Sequence, residues 1–207
     1  MIKKNAGLSL IEVLVSITIL TIIGIVIATI VSRTFSGNTK TELIGNIKQN
    51  GQGALAVIEK DIRESDTVVC TSPSTPPSTI LVLITKDGGK YLRFSMVAES
   101  ASTNGTIYRE QLVFSSPVTT TSQLCDFIAY PLDIQNSKIA LTDSISKSAV
   151  SLKNATTNGF TVIKSSGFRD TVRVQFDLGP SYDSGTMVEN SLGGSNSLNF
   201  QTTVQIR

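Results

Sequence analysis

The chain has 207 residues, of which 40% are apolar and only 16% charged, and its mean hydropathy is +0.15. That leaves room for one domain plus an extra element, is too apolar for a disordered chain, and is poor in charge for a cytosolic enzyme. Net charge is +2, and loss of Lys3 and Lys4 would bring the 18 basic residues down to 16, level with the 16 acidic ones; such a balance offers phosphate no basic face, so no nucleic-acid partner is evident.

Residues 13–31, VLVSITILTIIGIVIATIV, run 19 positions without a charge. As a helix they would span about 28 Å, close to the hydrocarbon thickness of a bilayer, which predicts one transmembrane segment. Lys3 and Lys4 precede it, so the positive-inside bias holds the N-terminus in the cytoplasm and puts the rest of the chain outside. Arg33 and Lys40 weaken that bias without reversing it. A secretory signal peptide would have a shorter apolar core followed by an A-x-A-like site, and neither is present.

Glu12 stands at the head of this apolar run, with Leu8, Leu10 and Ile11 before it. A carboxylate drawn into hydrocarbon costs about 2.5–3.5 kcal/mol or more. Cutting the bond between Gly7 and Leu8 would create an ammonium one helical turn from Glu12, where the two charges can pair within a chain or between neighbours. The stretch G-L-S-L-I-E-V-L-V, residues 7–15 behind a short basic leader, resembles the prepilin-type (class III) signal of type IV pilins and type II secretion pseudopilins. The resemblance implies that a prepilin peptidase removes a leader at 1–7, cleaving after Gly7 and methylating Leu8. It also implies that Glu12 guides each subunit onto its neighbour. The family more often has phenylalanine in place of Leu8 and threonine in place of Ser9, both conservative departures. A plain signal anchor is the alternative.

Past the membrane segment, Ile44, Ile47, Gly51, Leu55, Ile58 and Ile62 recur at intervals of three and four, an apolar stripe on a continuing helix. Glu59–Arg63 and Lys60–Glu64 are i,i+4 pairs on its polar side. Glycines at 24, 37, 45, 51 and 53 each cost a helix about 1 kcal/mol relative to alanine, which predicts bends or frayed turns at 36–39 and 51–53. TSPSTPPST, residues 71–79, cannot continue a helix. Alternating β-rich runs follow at 80–85, 90–98, 106–114, 160–164, 171–178 and 199–207, with turn residues Asp87-Gly88-Gly89 and Thr103-Asn104-Gly105 between the first three. They predict an antiparallel sheet. The Ser/Thr/Asn-rich stretch 115–158 gives no assignable pattern.

Cys70 and Cys125 are the two cysteines. In an exported part of the chain an even count reads as a disulfide, worth about 4 kcal/mol by loop closure; two separate buried thiols are the alternative.

A long helix followed by a sheet matches the ladle-shaped α+β architecture of pilin-like proteins. The resemblance implies a helix over 8–66, its membrane part at 13–31, packed on a β-rich head at 67–207. The runs I-E-K-D-I-R-E at 58–64 and T-I-Y-R at 106–109, with the terminal T-V-Q-I-R, are similar to J-type pseudopilins and W-type minor pilins.

The chain has no histidine, which removes the commonest general base and metal ligand and every Ser-His or Cys-His arrangement. No G-x-S-x-G, Walker A, G-x-G-x-x-G or C-x-x-C pattern occurs. Asp177, Asp183 and Glu189 lack EF-hand spacing and read as a solvated loop, although some major pseudopilins bind calcium in such a place; no metal site and no cofactor is assigned. The prepilin-type resemblance implies a non-enzymatic filament subunit, a minor pilin or pseudopilin of a type IV pilus, type II secretion or competence system. Its expected partners are other pilin or pseudopilin subunits, prepilin peptidase, an inner-membrane assembly platform and the membrane itself. The alternative is a single-pass anchored binding or adhesion module with its loops at 115–158 and 179–197.

Overall fold

The computed structural model describes residues 9–87, 90–112, 125, 137–143, 150–154, 156–181 and 197–207. It is an α+β protein of pilin-like architecture, with one long N-terminal helix and antiparallel sheets. Helix α1 runs Leu10–Glu64. No proline falls in those 55 residues, and Arg63 in the last turn complements the negative end of the helix dipole. The helix is unbroken at 36–39 and 51–53, so the frayed turns predicted there are absent: α1 passes its glycines without losing its hydrogen-bonded turns, and packing rather than propensity decides at Gly51.

The chain divides into two compact units, Met1–Glu42 and Leu43–Arg207, and α1 contributes to both. In the first, the large apolar side chains of α1 face outward, Leu10, Leu20, Ile25 and Ile30 among them. The most apolar 18-residue window of α1 has a mean hydropathy of 2.8, with none of it buried. By length and composition it can cross a membrane. Its hydroxyls need no water: Ser16 donates to the Glu12 carbonyl, Thr18 to Leu14, Thr21 to Ile17, Thr29 to Ile25 and Thr34 to Ile30, at 2.6–3.0 Å. Such internal bonds are what an apolar solvent demands of a polar group.

In the second unit, α1 buries Ile47, Gly51, Ala54, Ile58, Asp61 and Ile62, a stripe of near 3.6-residue period. Leu55, predicted on this stripe, is half-buried, and Ala54 takes the central place. The helix gives way directly to β1, Ser65–Ser72. This strand was not foreseen, though the β-branched Thr67-Val68-Val69 is its signal. β2 (Ile80–Thr85), β3 (Tyr91–Val97), β4 (Thr106–Leu112) and β5 (Ser137–Ala140) follow as a five-stranded antiparallel meander in the order β1-β2-β3-β4-β5.

The second sheet is built around β8, Thr171–Pro180. β9 (Leu198–Gln205) pairs with β8 from Leu178 back to Thr171, while β7 (Gly159–Ile163) and β6 (Val150–Leu152) share its other edge. The strands predicted at 80–85, 90–98, 106–114, 160–164, 171–178 and 199–207 correspond to β2, β3, β4, β7, β8 and β9. β5 and β6 lie in the stretch that gave no pattern, being four and three residues long. One core joins the helix stripe to Leu81, Leu83, Phe94 and Ile107 of the first sheet and to Phe160, Val174, Phe176 and Val204 of the second.

Candidate functional site

Glu12 lies in the first turn of α1. Its Oε2 accepts the Ser9 amide N–H at 3.2 Å, while the Ser9 carbonyl accepts the amides of Glu12 at 3.0 Å and Val13 at 3.3 Å. A carboxylate three residues into a helix that reaches back to the N-cap amide is one arm of a capping box, and negative charge there also suits the helix dipole. The S-x-x-E spacing of Ser9 and Glu12 was readable in the sequence and went unread. The carboxylate thus sits at the polar end of the exposed apolar helix, held among the described residues by a single neutral donor. Gly7 and Leu8, the predicted processing pair, lie outside the described residues.

Cys70 and Cys125 are joined in a disulfide. Cys125 packs with Val82 on the face of the first sheet away from the α1 stripe. On that face, one rung of direct register partners crosses all five strands: Cys70, Val82, Arg93, Glu110 and Lys138. Arg93 Nε donates to Glu110 Oε2 at 2.7 Å, and a second guanidinium nitrogen also contacts that oxygen. Lys138 Nζ lies 3.6 Å from Glu110 Oε1 and 3.9 Å from the centre of the Tyr108 ring. Glu110 is only 2% exposed, so both its oxygens are used by cations. Burial pushes the Arg93 guanidinium below its ordinary value, and Glu110 opposes that shift. On the opposite face Arg109 pairs with Asp61 of α1, so the I-E-K-D-I-R-E and T-I-Y-R runs meet in space. Glu59 accepts the Thr202 hydroxyl of β9, an attachment to the second sheet that the i,i+4 reading with Arg63 did not contain.

Ser151 Oγ donates to Glu99 and accepts the Gly105 amide, which ties β6 to the turn before β4. Among the described residues, no three acidic, cysteine or histidine side chains could hold a metal ion. Asp177 receives Asn199 Nδ2 at 2.6 Å; Asp183 and Glu189 lie outside the described residues.

The apolar helix and the acid at its start are the features a known family shares: residues 2–31 match the model of the prokaryotic N-terminal methylation motif. The chain carries a type IV pilin-like prepilin signal. No curated protein and no solved structure matches the chain. The prepilin signal supports a type IV pilin-type subunit, and pilin-type families are structural. It implies processing by a prepilin peptidase and assembly with other pilin subunits. With the apolar helix, it indicates a membrane-anchored chain whose β-rich part lies in the periplasm or outside the cell.

Proposed function

We propose that this pilin-type chain is a minor pilin or pseudopilin, cleaved between Gly7 and Leu8, methylated on Leu8, and added to its filament through pairing of Glu12. The observation that carries the reading is the meeting of the methylation motif at residues 2–31 with a helix whose large apolar side chains from Leu10 to Phe35 are left outward and whose first turn holds one acid. An uncovered apolar rod must be taken up by lipid or by other helices. In this reading residues 1–7 are the leader, 8–66 the assembly helix with its membrane part at 13–31, and 67–207 the outer head. Before assembly the chain rests in the cytoplasmic membrane, where it meets an inner-membrane assembly platform.

Cleavage puts an ammonium on Leu8, within one turn of a carboxylate that, among the described residues, has only the Ser9 amide as donor. An ammonium adds the attraction of a full opposite charge to what the neutral amide N–H already gives the carboxylate. The size of the head supports a subunit used in few copies, because a bulky head is harder to repeat along a filament. Mass spectrometry of the protein from its native cell tests the reading. A mature N-terminus at methylated Leu8 is expected, and a chain still beginning at Met1 would replace it with a single-pass anchored binding module.

A further inference from the structure

We propose that the C-terminal end of α1 carries a docking groove for a net-acidic segment of another protein; if the chain is a filament subunit as proposed, that partner is a neighbouring subunit. The groove has a volume of about 530 Å3 and is lined by Ala56, Glu59, Lys60, Arg63, Glu64, Lys86 and Arg207. Three elements far apart in sequence converge on it: the last turns of α1, the turn after β2 and the residue that follows β9 and Ile206. Four of its side chains are cations and two are acids. Of the acids, Glu59 is already engaged by the Thr202 hydroxyl.

Lys60, Arg63, Lys86 and Arg207 are all exposed, and among the described residues none forms an ion pair. Elsewhere in the unit Arg93 and Lys138 are held by Glu110, Arg109 by Asp61, Lys153 by Glu99, Lys164 by Asp170 and Arg169 by Asp66, while Lys48, Lys90 and Arg173 also lack an ion pair among the described residues but do not line the groove. What sets the four apart is that they share one concave surface, where they outnumber its two acids. Beside it, Arg169 Nη1 donates to the Arg207 carbonyl at 2.9 Å. The preceding residue, Phe168, is 74% exposed on a turn closed by its amide N–H on the Ser165 carbonyl at 3.0 Å. Gly167, at φ +82°, supplies the left-handed third position that such a turn requires. An exposed aromatic on a fixed turn beside unpaired arginine is the composition of an interface anchor.

The mixture of signs selects the partner. A nucleic acid offers a uniform row of phosphates, which Glu64 in the groove wall would repel. A peptide can place carboxylates against Lys60 and Arg63 while a neutral or basic side chain meets Glu64.

The experiment titrates the detergent-solubilised full chain with three labelled probes: a decapeptide alternating glutamate and serine, the same peptide with glutamine, and a single-stranded oligonucleotide. Saturable binding of the acidic peptide is expected, weakening as salt rises, with the glutamine peptide and the oligonucleotide at least tenfold weaker. Lys60→Gln with Arg63→Gln should weaken the acidic peptide at least tenfold, and Lys48→Gln, exposed on α1 away from the groove, should not. Glutamine is a good helix former, so the double variant should keep its thermal transition. Equal or tighter binding of the oligonucleotide, absence of peptide binding, or an unaffected double variant would each overturn the proposal. None of these readouts depends on processing at Gly7, which the mature N-terminus reports separately.

Discussion

Gly51 on α1 and Phe200 on β9 occupy each other's space: a Cβ built on Gly51 would lie 2.2 Å from Phe200 Cζ. Phe200 cannot simply swing aside, because its ring stacks on buried Phe176 with centroids 5.5 Å apart and planes 21° from parallel. The glycine is the notch through which the second sheet reaches the helix.

Gly51→Ala should therefore destabilise the β-rich unit by about 1–3 kcal/mol, the usual cost of overpacking, despite a helix-propensity gain of about 1 kcal/mol. Gly53 has nothing within 4 Å of its Cβ position, so Gly53→Ala should stabilise by about that gain. In a Phe200→Ala background, Gly51→Ala should change sign and become stabilising. Urea unfolding of the full chain in detergent, followed through these variants as a double-mutant cycle, measures the coupling.

Glu110 answers two cations from inside the sheet. Glu110→Gln leaves the buried Arg93 without its counter-charge, and removal of one partner of such a pair typically costs about 3–5 kcal/mol. Replacing Arg93 and Glu110 together by methionine and leucine should recover most of that loss, because a well-packed apolar pair has no charge to desolvate. Thermal unfolding of the single and double variants checks both statements.

The disulfide links residues 55 positions apart. In the chain-entropy model a closed loop of that length restrains the unfolded state by about 4 kcal/mol. Cys125→Ser should lower the denaturation midpoint accordingly, and in the variant a reducing agent should have no further effect. A variant as stable as the parent would mean that the sheet face above Val82 is closed without the bridge.

How much of this was legible follows from the range of the interactions. The helix, its exposed apolar half and the buried stripe announce themselves by period, because each needs only one face to be apolar over many turns. β2, β3 and β4 carry alternating runs with turn residues between them. The three-residue β6 does not: it is held by Gly105 and Glu99 through backbone bonds, and three residues are too few to show a period. Gly51 was placed on the buried stripe and costed by its propensity, but its role as a notch was not legible, since the ring that needs its missing Cβ arrives from 149 positions away, at Phe200. The rung from Cys70 to Lys138 likewise depends on the register of five strands, and no local pattern encodes it. At the other extreme, Glu12 and Ser9 form a signal within four residues, complete in the sequence itself.

That short range makes the roles of Glu12 separable. Its carboxylate accepts the Ser9 amide as a cap, and in the proposed filament it also pairs with the Leu8 ammonium. Glu12→Val removes both. Glu12→Gln keeps an oxygen acceptor at the position where glutamine also completes a capping box, but removes the charge. Both variants should be cut at the same bond, because the acid lies outside the bond that is broken, and mass spectrometry of the N-terminus checks this. Both should enter filaments at least roughly tenfold less well than the parent, a difference of about 1.4 kcal/mol in subunit addition, measured by immunoblot of sheared filaments. If instead Glu12→Gln assembles like the parent while Glu12→Val fails, the helix cap is the working contact and the charge pairing is refuted.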